Sequence, residues 1–293
     1  MKTGIILIFG LFSILLFSCS SSSRKEQNAI IPGDKEKIYY DLTDSSGKFI
    51  LLRELGLKKN SHEIVVKRKI YDPVQGEASP LEKSISISTI GMLKKKNRIL
   101  RPKISQYSVW FEGKEFFTEM KINVEKKAMD LNFRSPEAQW NGTKQVPFPQ
   151  GGSVFCFYSQ VIECAKVTGF ITQAIQKKTG KMHFHLIWDG YPYFQEQYSN
   201  IPNELFTHST LEYDGSPEDE KQNHRFVLDI GNQTMFYVVD TQGNFLKMFW
   251  VAQGLSILTK DRGKKQIAPK ENEESNPTDD NKGGKLNRRS NPT

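Results

Sequence analysis

Cys19 is the residue whose chemistry is best defined by its neighbours. Its thiol follows an apolar run over residues 5–18; a single Lys2 precedes the run, and four serines follow the cysteine. A short basic start, an apolar core and small residues at the end are typical of a secretory signal peptide. The core is shorter than the roughly 20 apolar residues that a membrane-spanning helix needs. The sequence therefore predicts export of the chain, with a thiol beside the cleavage point.

The segment Leu16-Phe17-Ser18-Cys19 resembles the lipobox of bacterial lipoproteins. The resemblance implies cleavage before Cys19 and attachment of a diacylglyceryl group, with fatty acids such as palmitate, to this residue. Two or three fatty chains hold a protein on a membrane stably, whereas one chain does so marginally. We therefore expect a membrane partner and an envelope location at the outer membrane, since Ser20 is not the Asp that signals inner-membrane retention in some bacteria. An ordinary signal peptide, or an uncleaved anchor with an incidental cysteine, is the alternative.

Two histidines have a spacing that suits metal binding. His183 and His185 are two residues apart on a predicted strand, so their side chains share a face, and His208 or His224 would have to supply a third ligand. The intervening residues are apolar, and no Cys or Asp lies at a ligand-like spacing. We therefore expect surface or rim histidines, no metal and no other cofactor.

Catalytic signatures are missing from the sequence. It has no Gly-x-Ser-x-Gly for a serine nucleophile and no phosphate-binding Gly-x-x-x-x-Gly-Lys-Ser/Thr. Gly151-Gly152-Ser153 is interpreted as the entry to a helix. We expect no enzymatic activity.

Two cysteines remain besides Cys19. An exported protein can form a disulfide between Cys156 and Cys164. A helix over 152–165, however, would place their Cα atoms about 12 Å apart at 1.5 Å per residue, and a disulfide needs less than about 7 Å. We favour two small buried side chains, with the disulfide as the alternative.

Aromatic residues crowd two predicted hairpins, and strand alternation directs about half of them inward. With the predicted helix they supply the candidate ligand-binding residues Phe157, Val161, Trp188 and Trp250. We predict that these residues line an apolar volume of about 300 Å³ or more. An ordinary packed sheet core is the alternative.

Antiparallel strands are expected to position these residues. Strand signals separated by turn residues occur at 38–42, 49–52, 62–71, 84–90, 104–111, 116–124 and 128–133, and again at 182–188, 191–198, 205–213, 225–230, 234–239, 245–251 and 255–258. The alternation over 84–90 is typical of a half-buried strand, and Asp189-Gly190 predicts a tight hairpin turn between 182–188 and 191–198. The one substantial helix is predicted over 152–165, capped by Ser153.

This order of elements resembles the periplasmic half-barrel proteins, a group that includes the lipoprotein carriers and receptors of the Lol pathway. The resemblance covers roughly residues 36–259 and rests on element order and on turns such as Thr241-Gln242-Gly243-Asn244. It implies a mainly β fold: an antiparallel meander forming a curved sheet or half-barrel, with one covering helix over a cavity that accepts acyl chains.

The chain is predicted to divide into four segments. Residues 1–18 are the signal peptide, 19–35 a lipidated N-terminus and flexible tether, 36–259 a β-rich domain, and 260–293 a disordered polar tail. The formal charge is +8 and the pI about 9.2. This charge indicates a solvated basic surface or attraction to anionic headgroups; a nucleic-acid partner is not expected for an exported protein.

Two functional hypotheses follow. In the first, a non-enzymatic lipoprotein of the envelope binds an apolar ligand, a lipid or another envelope protein. In the second, a surface-exposed adhesin or structural interaction protein has a fully packed core.

Overall fold

The computed structural model describes residues 36–58, 62–93, 97–151 and 154–260. Cys19, the predicted signal peptide and the predicted tether lie outside these residues, as does the predicted tail beyond Lys260. The strands are β1 (Glu36–Asp44), β2 (Gly47–Lys58), β3 (Glu63–Tyr71), β4 (Pro80–Leu93), β5 (Asn97–Phe111), β6 (Lys114–Asn123), β7 (Ala128–Arg134), β8 (Gly142–Pro147), β9 (Phe155–Phe157), β10 (Lys181–Ile187), β11 (Phe206–Gly215), β12 (His224–Asp229), β13 (Thr234–Val239), β14 (Phe245–Trp250) and β15 (Leu255–Thr259). The helices are α1 (Val161–Val167), α2 (Phe170–Lys177) and α3 (Tyr193–Gln197), with 3₁₀ turns at Ala138–Trp140, Tyr158–Gln160 and Val251–Gln253.

The described strands form a single curved sheet. Its order is β8-β7-β6-β5-β4-β3-β2-β1-β15-β14-β13-β12-β11-β10-β9, so the first strand lies beside the last. Neighbours are antiparallel, except that β9 runs parallel to β10. β8 and β9 end the sheet without pairing with each other, so the barrel is not closed. The predicted mainly β, half-barrel fold is confirmed.

Buried and exposed residues alternate along β4, as predicted. However, the polar residues face the interior and the apolar residues face outward, which is the reverse of the usual arrangement. Ser84, Ser86 and Ser88 are buried, whereas Ile85 and Ile87 are half-exposed on the outer face. The buried hydroxyls are tolerated because polar groups from other elements meet them. Ser86 Oγ donates to Asp189 Oδ2 at 2.8 Å and Ser159 Oγ donates to Ser86 Oγ at 2.9 Å. The curved sheet therefore has a polar stripe inside it.

Of the predicted helix over 152–165, only Val161 onward is α-helical among the described residues; Gly152 and the predicted cap Ser153 lie outside them. Residues Phe155–Phe157 form β9, the 3₁₀ turn Tyr158–Gln160 redirects the chain, and α1 starts at Val161. Cys156 and Cys164 therefore belong to different elements, and their Cα atoms lie 6.2 Å apart in a disulfide. The preference for two unbridged cysteines was wrong, because it assumed one continuous helix.

The predicted hairpin of 182–188 with 191–198 is also wrong. β10 pairs with β11 instead, and Asp189-Gly190 leads into α3. The aromatic residues after the turn have helical rather than strand spacing: Phe194 and Tyr198, four residues apart, have ring centroids 4.6 Å apart. Phe194 is buried, and it also stacks on Trp188 at 5.2 Å. This packing favours a short helix that folds back onto the core.

Candidate functional site

An open groove lies at the end of the half-barrel where the β1–β2 turn meets the ends of β3, β4 and β5. It has a volume of about 400 Å³. We call it the end groove. Its apolar lining residues are Leu42, Phe49, Ile70, Leu81, Val109, Trp110, Phe111 and Tyr198; its polar lining residues are Asp44, Ser45, Ser46, Glu82, Gln197, Ser199 and Gln253. The lining is therefore mixed, with almost as many polar as apolar residues, whereas small-molecule sites are usually lined mainly by apolar residues.

Glu82 is a buried carboxylate in the wall of the end groove, with a relative exposure of 5%. Its Oε2 accepts a hydrogen bond from the Tyr107 hydroxyl at 3.1 Å. Its Oε1 lies 3.8 Å from Arg68 Nη2, an ion-pair distance, and has no hydrogen-bond partner. Glu82 Oε1 is therefore an acceptor without a hydrogen-bond donor, and it is itself shielded from solvent, with less than 1 Å² of exposed surface.

Burial raises the pKa of Glu82 above its ordinary value, although Arg68 and the Tyr107 hydrogen bond both oppose that shift. Burial alone would lower the pKa of Arg68, but Glu82 raises it above its usual range. Burial, followed by the charge of Glu82, raises the pKa of Tyr107. The Glu82 carboxylate is therefore more basic than an ordinary one. It lies beside the permanent cation of Arg68 and the Tyr107 phenol, which remains protonated near neutral pH.

A second buried ion pair connects α1 to the sheet. Arg53 Nη2 on β2 lies 2.6 Å from Glu163 Oε2 on α1, and both side chains are less than 10% exposed. A cavity of about 50 Å³ beside this pair is lined by Arg53, Arg68, Tyr158 and Val161, among others. At about 30 Å³ per water in the liquid, this space holds one or two waters and no larger ligand.

The buried serines of β4 hydrogen-bond to Asp189 and to the 3₁₀ turn Tyr158–Gln160. Ser86 is bonded to Asp189, and Ser88 donates to Gln160 Oε1. Gln160 Nε2 in turn donates to the Ser86 carbonyl at 2.9 Å. No imidazole takes part in these hydrogen bonds. They fix the 3₁₀ turn Tyr158–Gln160 against β4, which is a structural role.

The four predicted ligand-binding residues lie in the core. Phe157, Trp188 and Trp250 have a relative exposure of 0% and Val161 of 1%. Trp188 and Trp250 are stacked with centroids 6.4 Å apart. Val161 borders the 50 Å³ cavity, and none of the four is among the residues that line the end groove. Their role in ligand binding stays a prediction.

Sequence reasoning missed the end groove because its lining residues come from the ends of many elements. Glu82 gave the best available signal. It lies on the same face of β4 as Ser84, Ser86 and Ser88, so four alternate residues on that face are polar. Such a stripe on the buried face of a strand indicates polar partners elsewhere in the fold.

His183 and His185 do share the outer face of β10, as their spacing predicted. His208 lies directly opposite His185 on β11. His224 is elsewhere, with its Nδ1 3.2 Å from the Tyr213 hydroxyl. Within the described residues, no three His, Cys, Asp or Glu side chains are arranged to hold a metal ion as they stand.

Comparisons with known proteins give a likeness of fold alone. No family model matches the chain, and no curated protein matches it. Among solved structures, it is similar to a β-barrel-like protein of a domain family of unknown function from Brucella abortus. The TM-score is 0.42 and the identity 12%, over 78% of this chain and 96% of that one. At these values no residue of that protein identifies a counterpart here.

Among the described residues, no helix is long and apolar enough to cross a membrane.

Proposed function

We propose that the protein is a non-enzymatic lipoprotein of the cell envelope, anchored through Cys19, whose half-barrel binds an amphipathic ligand in the end groove. The observation that carries the proposal is the groove itself. Its volume of about 400 Å³ lies in the range of ligand sites, about 300–1,000 Å³. The filled core directs the ligand to this end of the barrel rather than to the interior.

The lining of the groove defines the ligand class. Phe49, Trp110 and Phe111 line the apolar part of the groove, and the Glu82 carboxyl group lies in its wall. Glu82 Oε1 has no hydrogen-bond donor and less than 1 Å² of exposed surface, so a ligand head reaches it only when neighbouring side chains of the wall move. An unfilled buried acceptor favours a partner that donates a hydrogen bond, because leaving it unpaired costs about 1–3 kcal/mol. The best ligand is therefore an acyl or aromatic body with a hydroxyl head, because the Arg68 guanidinium 3.8 Å from Glu82 Oε1 would repel an ammonium group.

The groove is tested with the chain produced from Ser20 onward, which lacks both the apolar run 5–18 and the acylation site. An environment-sensitive apolar dye is titrated in and then displaced with long-chain alcohols, amines and fatty acids. We expect saturable binding and better displacement by the alcohols than by the amines or fatty acids. Phe49→Asp should abolish binding, whereas the matched control Val74→Asp, at a residue 92% exposed in a loop, should not. Equal dye affinity in both variants would refute the groove.

The anchor is tested separately on the native protein. Mass spectrometry of its N-terminus should find an acylated Cys19, and Cys19→Ala should leave the protein unprocessed or soluble and remove it from the detergent phase. An intact Met1 or an unmodified Cys19 would contradict the lipoprotein assignment and leave the groove experiment unaffected.

The second candidate function, a surface-exposed interaction protein, is favoured by one observation. The interior is packed, with Trp188, Trp250 and Phe157 fully buried. If no dye binds and no lipid copurifies, this alternative replaces ligand binding, and the barrel is a scaffold for its outer surface.

A further inference from the structure

Three imidazoles are grouped on the outer face of β10 and β11. His185 and His208 are cross-strand partners, and His183 is two residues from His185 on the same face. The ring centroids of His185 and His208 are 5.6 Å apart, and those of His183 and His208 are 6.0 Å apart. His183 and His208 are exposed, so solvent ions reach the group.

From this geometry we propose that His183, His185 and His208 form a binding site for a borderline-soft divalent cation of the Zn²⁺ class. Two ligands spaced i, i+2 on one strand and a third on the adjacent strand point three nitrogens toward one side of the sheet. Imidazole is a preferred ligand for zinc, copper and nickel, whereas carboxylates and carbonyls suit magnesium and calcium. Three protein ligands leave a fourth tetrahedral position for water.

Two of the three ring separations are close to this geometry, although the three side chains are not arranged to hold a metal ion as they stand. With Zn–N bonds of 2.0–2.1 Å, each ring centroid lies about 3.2 Å from the metal, and two tetrahedral ligands have centroids about 5.2 Å apart. The observed separations of 5.6 and 6.0 Å exceed this by less than about 1 Å. The nitrogens do not converge as they stand, and rotation about the side-chain torsions of exposed residues supplies the difference.

A neighbouring hydroxyl is placed to orient one ligand. His183 Nδ1 lies 3.0 Å from Thr210 Oγ1, its cross-strand neighbour. When Nδ1–H donates to this hydroxyl, the Nε2 lone pair is left free for a metal. Metal-bound histidines commonly donate their other ring nitrogen in this way. Phe155 stacks on His185 at 5.3 Å and limits the motion of that ring.

The test uses the full-length protein without an affinity tag, stripped with a chelator and held in mild detergent. Calorimetric titration with ZnCl₂ should give one site per chain, and Co²⁺ should give the visible absorption of tetrahedral coordination. His208→Ala and His185→Ala should each weaken Zn²⁺ binding at least tenfold. The matched control His62→Ala, an exposed histidine outside the group, should leave it unchanged.

Variants of Thr210 distinguish a metal site with an oriented ligand from exposed histidines that bind a cation only incidentally. Thr210→Val should lower Zn²⁺ affinity about 10–100-fold, and Thr210→Ser, which keeps the hydroxyl, should restore it. The absence of Zn²⁺ binding, equal losses in the His62 control, or competition by millimolar Mg²⁺ would each overturn the proposal. Circular dichroism of every variant verifies that the sheet is intact.

Discussion

Glu163→Gln removes one charge from the buried ion pair that connects α1 to β2. The N–O distance is 2.6 Å and the side chains are 8% and 4% exposed, so the remaining Arg53 has little access to water. Burial lowers the pKa of Arg53, but Glu163 and Tyr40 outweigh it and raise that pKa above its ordinary value. Glu163→Gln removes the main cause of that rise, but a guanidinium stays protonated in proteins even without a partner, so Arg53 stays charged in the variant and loses its counter-charge.

The expected cost follows from the burial of that charge. Removing one partner of a buried pair destabilises a protein by about 3–5 kcal/mol. In a domain of about 225 residues each kcal/mol lowers the melting temperature by about 2–4 °C. We therefore expect a drop of about 6–20 °C. Replacing both partners, Arg53→Met with Glu163→Leu, should recover most of the stability, because no unpaired charge remains.

Urea unfolding monitored by tryptophan fluorescence measures these differences. The matched control is Glu77→Gln, which breaks an exposed pair with Lys69 at 2.9 Å and should cost less than about 1 kcal/mol. A Glu163→Gln variant within 1 kcal/mol of the wild type would refute the reasoning, since it would mean that water or another group compensates Arg53.

Three further predictions concern stability. Replacing Cys156 and Cys164 with alanine opens a link between residues eight apart in sequence and should cost about 2.6 kcal/mol by loop entropy; equal urea midpoints for the two proteins would contradict this. Gly243→Ala should destabilise more than Gly231→Ala: both have positive φ, but the added Cβ at 243 meets an α2 methyl at 2.8 Å, whereas that at 231 meets nothing within 4 Å. Because the pKa of Glu82 is raised above 4.5 on folding, its contribution to stability is full below about pH 4.5 and is lost as pH rises through the folded pKa; Glu82→Gln should remove this decline from the pH profile of unfolding.

Local turn chemistry made much of the sheet predictable. The bounds of β13 are as predicted, and β1 and β2 meet at the predicted turn, where Asp44 Oδ1 accepts the amide of Ser46 at 2.7 Å. β8 was not predicted, because this edge strand is almost entirely exposed and has no apolar alternation. Turns and strands set by residues close in sequence could therefore be predicted. An edge strand whose pairing depends on a distant partner could not.

The candidate sites depended on such distant partners. The incorrect hairpin over 182–198 hid the pairing of β10 with β11, which is what places His208 opposite His185. The disulfide was misjudged for a related reason, since a three-residue turn separates Cys156 from the helix that holds Cys164. The inward direction of the β4 serines follows from contacts with Asp189 and Gln160, about 70 to 100 residues away in sequence.

The start of β1 and the end groove lie at opposite ends of that strand. β1 starts at Glu36, and its Tyr40 is paired with Thr259 near the end of β15. The groove is at the other end of β1, about 27 Å away for a strand of nine residues. If Cys19 holds the chain on a bilayer, the pull acts on the end of the barrel opposite the groove. With that attachment the groove mouth is not the part of the barrel that the anchor holds at the membrane, so a ligand need not come from the supporting bilayer.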